Sequence, residues 1–344
     1  MEVGVDALDF VVVQTDVSDP PYIDDLPDIT EPGSCIRING FVKPYCRRFA
    51  VNLMTSRALN SDIALHINPR ISQRYVVRNS RLNCSWEDEE TTSINKFEFD
   101  RNKKFNLDIV ITDKEYLISA NGQHVCGYVF RIPTSKVKVL MVEGAVEVYG
   151  VEYSKLQMYP APSPSNAPFS VPTGDGLDHV ADQQLDVPVT AVLPRGFQRG
   201  WQLEIYGRVK ILPHAFYINL QVGTQLWPHP IVPLHLNPRF RALHGKHLLV
   251  RNAWIDGAWG SEERTAGVQF SPGAPFSIAI QKNEHHFSVW VDGQLVGELQ
   301  FRGASEVDTV YIHGDVNVGR IYMKTFFDDD YFRKSQEDLN VHSL

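Results

Sequence analysis

Short stretches of the chain alternate between apolar and polar residues. Residues 202–206 (QLEIY) and 287–291 (FSVWV) have a period of two, which is typical of a β-strand with one buried face. An Asp-Gly pair at 292–293 follows the second stretch, and an Asn-Gly pair stands at 121–122. Both pairs are strong signals of a hairpin turn between strands. Because no helical spacing of useful length precedes the C-terminal tail, the pattern predicts an all-β protein.

The pattern also repeats within the chain. Residues 66–70 (HINPR) recur as residues 235–239 (HLNPR), roughly 170 residues later, and V-R-N, tryptophan and phenylalanine positions recur at nearly the same offset. Two copies of one domain are therefore predicted, over 31–160 and 189–330. Short strands separated by turns, over about 140 residues per copy, favour an antiparallel β-sandwich for each.

Composition and charge describe the segments outside the two copies. Residues 161–188 are rich in Pro, Ser and Asp and are predicted to be a semi-stiff linker. Residues 1–30 carry eight acidic side chains and no Lys or Arg, which equals the whole formal net charge of −8. They are predicted to be a flexible acidic tail, and residues 331–344 a C-terminal tail. The near-neutral remainder lacks the positive field that nucleic-acid binding requires, so no nucleic-acid partner is expected.

Three polar side chains in the second copy are predicted to share one face of a strand. His235, Asn237 and Arg239 are spaced by two residues, so they project to the same side. An imidazole, an amide and a guanidinium are costly to bury without partners, so we expect this face to meet solvent or a polar ligand. Pro238 points to the opposite face and, because it has no backbone N–H, indicates an edge strand or a strand end.

An aromatic residue and further hydrogen-bonding groups follow this row. Asn252 is succeeded by Trp259, Glu262 and Arg264; the last two are expected to form a bidentate ion pair. Gly260 is expected to leave room beside the indole for a flat ligand face. An aromatic plate ringed by such groups is complementary to a sugar, which offers a C–H face and hydroxyls that can be discriminated by hydrogen bonds.

The complete set resembles the galectin family, in particular its tandem-repeat type with two carbohydrate-recognition domains. The family pattern is H-x-N-P-R, then V-x-N, then W-G-x-E-x-R, and the second copy matches it throughout. The resemblance implies a two-sheet β-sandwich of the jelly-roll type. It also implies binding of β-galactosides such as lactose and N-acetyllactosamine without a metal or other cofactor. The implied partners are galactose-containing glycoproteins or glycolipids, which two sites on one chain would cross-link.

The resemblance also implies roles for individual residues of the second copy. Of the galactose hydroxyls, the axial 4-hydroxyl would be bound by one group of side chains and the 6-hydroxyl by another. The implied roles are His235, Asn237 and Arg239 for the 4-hydroxyl, Asn252 and Glu262 for the 6-hydroxyl, Trp259 for stacking, and Arg264 for the adjoining sugar.

The first copy keeps most of this set and departs from it at two positions. The residues that match the family pattern are His66, Asn68, Arg70, Asn79, Trp86 and Glu89. Glu87 replaces the glycine after the tryptophan, and Thr91 replaces the last arginine. Loss of that arginine removes a charge-assisted donor and the partner that orients Glu89. The first copy is therefore predicted to bind galactosides more weakly or with a shifted preference.

Two other functions are compatible with the sequence. A jelly-roll glycosidase would need two carboxylates on either side of the scissile bond, but the adjacent pairs at 89–90 and 262–263 should point to opposite faces of a strand. No catalytic residue is therefore predicted. A protein-interaction module that keeps the fold without binding sugar is the other alternative, and it applies more naturally to the first copy.

Metal binding and membrane insertion are not expected. His229, His285 and His286 lack a convergent metal-ligand spacing, and the cysteines do not form C-x-x-C pairs. No apolar run approaches the ~20 residues that span a bilayer. The first residues carry acids where a signal peptide has a basic region, so cytoplasmic synthesis is expected. The family resemblance implies additional export by a route that needs no signal peptide. The sequence predicts neither the natural glycan nor the oligomeric state.

Overall fold

The computed structural model describes residues 11–13, 21–92, 97–161, 167–174, 181–242, 246–268 and 270–326. The chain divides into two compact units between Ala167 and Pro168, and the short segment Gln225–His229 is counted with the first unit. Each unit is described by itself below.

Unit 1 is built from thirteen strands and one short 3₁₀ helix, Thr134–Lys136, in the described part of the chain. The strands are β1 (Val11–Val13), β2 (Tyr22–Asp25), β3 (Ser34–Val42), β4 (Phe49–Met54), β5 (Ile63–Arg70), β6 (Tyr75–Leu82), β7 (Ser85–Trp86), β8 (Glu90–Thr92), β9 (Lys104–Ile111), β10 (Glu115–Ala120), β11 (Gln123–Val129), β12 (Val139–Gly144) and β13 (Val146–Lys155).

These strands form two antiparallel sheets with one core between them. A six-stranded sheet has the order β1-β13-β3-β9-β10-β11, and a seven-stranded sheet has the order β2-β12-β4-β5-β6-β7, with β8 also paired to β6. Ile36 and Ile38 from the first sheet meet Val51 and Leu53 from the second, and all four are fully buried. The period of two seen in the sequence thus separates a core face from a solvent face.

Unit 2 repeats this architecture. Its strands are β14 (Phe169–Ser170), β15 (Val189–Val192), β16 (Trp201–Val209), β17 (Phe216–Gln221), β18 (Val232–Ala242), β19 (Lys246–Ile255), β20 (Ala258–Trp259), β21 (Glu263–Ala266), β22 (Pro275–Lys282), β23 (His286–Val291), β24 (Gln294–Gln300), β25 (Thr309–Gly314) and β26 (Val316–Thr325). The eight-stranded sheet has the order β14-β15-β25-β17-β18-β19-β20, with β21 paired to β19, and the five-stranded sheet has the order β24-β23-β22-β16-β26.

The second core is separate from the first. Leu203 and Ile205 of β16 lie opposite Ile218 and Leu236 of the eight-stranded sheet in one buried cluster. The predicted fold class, two antiparallel β-sandwich domains, is confirmed by these two double-sheet units. The described residues include no helix with the length and apolarity needed to cross a bilayer.

The segments predicted as tail and linker are partly built into the units. Strand β2 pairs with β12, and Tyr22 and Ile29 are buried in the first core, so residues 21–30 differ from the predicted flexible tail. The apolar residues among the acids supply this burial. Val171 and Val187 are likewise buried in the second core, so the described parts of 161–188 from residue 168 onward pack against unit 2. The predicted tail 331–344 lies outside the described residues.

Unit 2 is therefore expected to need the residues that precede the predicted domain boundary. A version of unit 2 that begins at Pro168 should be more stable than one that begins at Val189, since the shorter version loses buried Val171 and Val187. Burying one valine contributes about 1.5–3 kcal/mol, so the free energy of unfolding should fall by roughly 3 kcal/mol or more. Urea unfolding of both versions measures the difference. Equal unfolding midpoints would show that the segment adds nothing.

Candidate functional site

The row of polar side chains lies on the outer face of the larger sheet in each unit. In β18, Leu234 and Leu236 are buried in the core, and His235, Asn237 and Arg239 alternate with them on the other face. In β5 the same alternation places the predicted first-copy residues His66, Asn68 and Arg70 outward. The common face predicted from the spacing is therefore present in both units.

The proline in this row lies in an interior strand, not at an edge. Strand β18 is flanked by β17 and β19, and the register that joins Ile218 to Leu236 places Pro238 opposite Phe216. Proline has no N–H to donate to the Phe216 carbonyl. The side-chain amide of Asn237 donates to that carbonyl instead, at 2.7 Å. Of the two positions predicted for Pro238, the edge strand was wrong, because the neighbouring asparagine supplies the missing donor. The alternative of a strand end holds for the pairing with β17, which ends at Leu236.

In unit 1 an asparagine side chain also replaces the missing proline N–H. The Nδ2 atom of Asn68 donates to the Phe49 carbonyl at 2.5 Å, where Pro69 lies opposite in the register of β4 and β5. In each unit one amide hydrogen of the asparagine is thus committed to the sheet, and the amide plane is fixed across the strand.

The histidine of each row is oriented by an asparagine of the adjacent strand. Nδ1 of His66 lies 2.6 Å from Oδ1 of Asn52, whose Nδ2 donates to Glu143 at 3.2 Å. Nδ1 of His235 lies 2.6 Å from Oδ1 of Asn219. Since an amide oxygen only accepts, the neutral imidazole donates from Nδ1 and presents Nε2 as an acceptor. In that orientation Nε2 can accept a hydrogen bond from a ligand hydroxyl.

Each site has an open indole beside the histidine. Trp259 is 43% exposed, and its ring centroid lies 4.8 Å from that of His235; Trp86 is 49% exposed and lies 4.9 Å from His66. In unit 2 the buried Trp254 packs edge-on against Trp259 at 5.4 Å. A large apolar ring left half exposed beside polar groups can stack against an apolar ligand face.

A carboxylate in unit 2 lies between two arginines. Arg239 donates to Oε1 of Glu262 at 2.8 Å, and Arg264 donates from Nε and Nη2 to Oε2 at 2.8 and 2.5 Å. The predicted pair of Glu262 and Arg264 is therefore present, with Arg239 as an additional partner. Arg239 also donates from Nε to Oδ1 of Asn237 at 2.6 Å. These bonds connect the polar row of β18 with the segment that follows the tryptophan.

The two arginines keep Glu262 ionised. Partial burial would raise the pKa of this carboxyl, but the hydrogen bonds and charges of Arg239 and Arg264 outweigh burial and lower the pKa below its ordinary value. The adjacent Glu263 is engaged elsewhere, by Arg302 at 2.9 Å. The two neighbouring carboxylates thus have separate partners, and Glu262 is poorly suited to donate a proton to a leaving group.

The corresponding part of unit 1 is less connected. Glu89 makes no hydrogen bond or ion pair with the described residues, and Thr91 stands where unit 2 has Arg264. Oδ1 of Asn68 and Nε of Arg70 are buried without a hydrogen-bond partner. The equivalent atoms of unit 2, in Asn237 and Arg239, are bonded to each other. Apart from Thr91, the first site therefore has the same predicted binding residues as the second, with a different pattern of hydrogen bonds.

The position of Asn252, another predicted site residue, depends on Arg302, which was not predicted from the sequence. Its Nδ2 donates to the Gly260 carbonyl at 2.9 Å, and Arg302 donates to its Oδ1 at 2.8 Å. In unit 1, Asn79 makes the same two bonds, to the Glu87 carbonyl and to Arg131. The Phe-Arg pairs at 130–131 and 301–302 recur at the repeat offset, which is the signal that could have identified both arginines.

The space beside Gly260 is not open to a ligand, contrary to the expectation from the sequence. A Cβ atom at this position would lie 2.4 Å from Nη1 of Arg302 and 3.2 Å from Oδ1 of Asn252. Arg302 thus occupies the volume that a side chain would need. A side chain here would have to displace the guanidinium, and in unit 1, where Glu87 takes this position, Arg131 lies farther from its asparagine, at 3.3 Å.

The predicted site residues are therefore brought together in each unit across three neighbouring strands and the segment after the tryptophan. Groups of three or more metal-binding side chains do not occur among the described residues. The arrangement offers hydrogen-bond donors, acceptors and an apolar plate on an open surface. It can bind a polar ligand that has one apolar face.

The first site is expected to bind ligand equally well from pH 8 to about pH 5. Burial lowers the pKa of His66 to about 4, and the charges of Arg70, Arg48 and Arg81 act in the same direction. The imidazole is therefore neutral above that pH and keeps Nε2 as an acceptor. Titration of the full chain carrying Trp259→Ala with lactose should show affinity falling only as the pH approaches 4.

The same shift affects stability. The folded protein resists protonation of His66, so the contribution of the neutral imidazole to stability is complete above pH 6.5 and is lost as the pH falls toward 4. Circular dichroism at each pH separates loss of binding from unfolding. A loss of half the binding near pH 6.5 in a folded protein would contradict the role given to this imidazole.

Comparison with known proteins agrees with this geometry. A family model described as galactoside-binding lectin matches residues 21–153 and 188–323. Galectin-4 of Sus scrofa is 34% identical over 317 residues, which cover 88% of this chain and 94% of that protein. Galectin-8 of Rattus norvegicus is 27% identical over 304 residues, covering 87% and 93%. The 32 kDa beta-galactoside-binding lectin of Caenorhabditis elegans is 25% identical over 307 residues, covering 88% and 96%. The chain belongs to the galectin family and is a tandem-repeat member with two galactoside-binding-lectin domains.

Proposed function

We propose that both units bind β-galactosides of the lactose and N-acetyllactosamine type without a metal ion. The observation that carries this proposal is the half-exposed indole beside an oriented histidine in each unit, Trp259 with His235 and Trp86 with His66. A galactose ring has an apolar C–H face to stack on the indole and an axial hydroxyl next to it. An Nε2 acceptor and the amide and guanidinium groups of the same row can bind that hydroxyl from several sides.

The geometry and the family support a specific set of recognition residues for each site. For the second site we propose His235, Asn237, Arg239, Asn252, Trp259, Glu262 and Arg264. For the first site we propose His66, Asn68, Arg70, Asn79, Trp86 and Glu89. The first site should bind lactose more weakly, because Thr91 cannot hold Glu89 as Arg264 holds Glu262.

We further propose that the two sites cross-link galactose-bearing glycoproteins or glycolipids. A shallow site binds one sugar weakly, because desolvation of polar groups offsets much of the hydrogen bonding. When two sites are on one chain, the second binding event is intramolecular, and avidity rises ~10²–10⁴-fold where the spacing of the glycans permits. This role requires binding and no catalysis.

Affinity chromatography tests the binding proposal directly. The full chain should be retained on lactose-agarose and eluted by free lactose, and a chain carrying both Trp86→Ala and Trp259→Ala should pass through. Passage of the unmodified chain would favour a protein-interaction module with this fold. Hydrolysis of lactose to free galactose and glucose during the experiment would instead indicate a glycosidase.

A further inference from the structure

One guanidinium behind the second site joins three separate parts of it. Nη1 of Arg302 donates to Oδ1 of Asn252 at 2.8 Å and to the Ser261 carbonyl at 2.8 Å, and Nη2 donates to Glu263 at 2.9 Å. Asn252 belongs to β19, Ser261 to the segment after Trp259, and Glu263 to β21. Arg302 therefore fixes the asparagine and this segment relative to each other.

Unit 1 contains the same arrangement. Nη1 of Arg131 donates to Oδ1 of Asn79 at 3.3 Å and to the Asp88 carbonyl at 2.9 Å, and Nη2 donates to Glu90 at 2.9 Å. The three acceptors occupy the positions of Asn252, Ser261 and Glu263 in the repeat. A three-point contact that recurs in two diverged copies is a property of the site and not of one loop.

The hydrogen bonds of Asn252 decide what it can offer to a ligand. Its Oδ1 accepts from the backbone N–H of Ala253 at 2.8 Å and from Arg302, and its Nδ2 donates to the Gly260 carbonyl. A flipped amide would direct its NH₂ group at two donors, so the orientation is determined by these neighbours. Both lone pairs of Oδ1 are occupied, and one N–H remains. Toward a ligand, Asn252 can therefore only donate.

We propose that Arg302, and Arg131 in the first unit, are positioning residues that make the site selective for a hydroxyl group. This inference rests on the proposed function, in which Asn252 and Glu262 both face the galactose 6-hydroxyl. Asn252 donates, and the ionised Glu262 only accepts. A hydroxyl satisfies both because it accepts and donates at once, whereas a hydrogen in its place satisfies neither.

The residue after the tryptophan sets how closely the guanidinium approaches. Gly260 lets Arg302 reach Asn252 at 2.8 Å, and a Cβ atom there would collide with Nη1. Glu87 occupies this position in unit 1, and there the distance from Arg131 to Asn79 is 3.3 Å. The weaker contact should hold Asn79 less firmly, so the first site is expected to discriminate less sharply at this hydroxyl.

The test compares two sugars that differ at that hydroxyl alone. The full chain carrying Trp86→Ala, which silences the first site, is titrated with methyl β-D-galactoside and with its 6-deoxy analogue, methyl β-D-fucoside. This Trp86→Ala parent chain should bind the galactoside more tightly than the fucoside. Adding Arg302→Gln should reduce this preference about tenfold, the effect of losing one hydrogen bond to a charged group. The loss should fall on the galactoside, with the affinity for the fucoside nearly unchanged.

Two further variants keep the result interpretable. Arg302→Lys keeps the charge and one donor position and should restore part of the preference. Gly260→Ala leaves Arg302 in the sequence but displaces its side chain, and should lower the preference in the same direction even if Arg302→Gln fails to fold. Thermal unfolding of each variant reports its stability.

The ratio of the two affinities decides the outcome. An unchanged ratio in folded Arg302→Gln and Gly260→Ala would overturn the inference. This holds whether both affinities are kept or both fall by the same factor, the second of which a merely structural role predicts. If the Trp86→Ala parent chain binds neither sugar, the proposed function itself is overturned. This result would be seen before any Arg302 variant is measured.

Discussion

Replacing Glu262 with glutamine is expected to weaken binding of lactose to the second site roughly 30- to 150-fold. The substitution keeps the shape of the side chain and removes the charge that holds Arg239 and Arg264. A hydrogen bond to a charged group contributes ~1.5–3 kcal/mol, and the three such bonds that Glu262 accepts from the two arginines are lost or weakened. Their sum is reduced by solvent screening because both arginines are partly exposed. A net loss of about 2–3 kcal/mol corresponds to the stated factor.

The first unit provides the matched control for this substitution. Glu89 occupies the position of Glu262 but makes no ion pair with the described residues, so Glu89→Gln should remove only its own contact with the sugar. Calorimetry on full chains in which the other site is silenced, by Trp86→Ala or Trp259→Ala, measures each effect separately. Equal losses for Glu262→Gln and Glu89→Gln would show that the two arginines do not organise the second site.

Silencing either single site is expected to abolish agglutination of galactose-bearing cells by the full chain. Trp86→Ala and Trp259→Ala each remove the exposed indole of one site and leave the other site intact. Because cross-linking needs two sites, each variant should lose the ~10²–10⁴-fold avidity that linkage supplies. Haemagglutination titres with the unmodified chain and both variants measure the loss.

The same variants reveal whether the chain associates with itself. A variant that still agglutinates at the concentration of the unmodified chain must present a second site by another route, such as a dimer. Sedimentation of that variant would then show a species of twice the mass. Loss of agglutination in both variants, with lactose still bound by the remaining site, is the result that a two-site chain requires.

Most of the fold could be predicted from the sequence because each sandwich strand has one buried face. The alternation in residues 202–206 corresponds to β16, and the turn at 292–293 joins β23 to β24. The ends of the units were less predictable. Acidic or proline-rich segments are typical of tails and linkers, but a few apolar residues, such as Tyr22 and Val171, are sufficient to bind them to a core.

The site was predictable where spacing along one strand determines which side chains lie together. His235, Asn237 and Arg239 are close because a strand has a period of two. Arg302 lies just after the end of β24, far along the chain, so its contact with Asn252 depends on how the strands pair and not on any local spacing. The environment of Gly260 was misjudged for the same reason, since the side chain that fills it is distant in sequence.

The most direct test of the two-site account is calorimetric titration of the full chain with lactose, and in parallel with cellobiose. Cellobiose has an equatorial 4-hydroxyl on its terminal ring, where lactose has the axial one that the His235 and His66 rows are proposed to bind. We expect two lactose molecules to bind per chain, with unequal affinity, and cellobiose to show no measurable binding. Absence of lactose binding, or equal binding of both sugars, would contradict the two-site account.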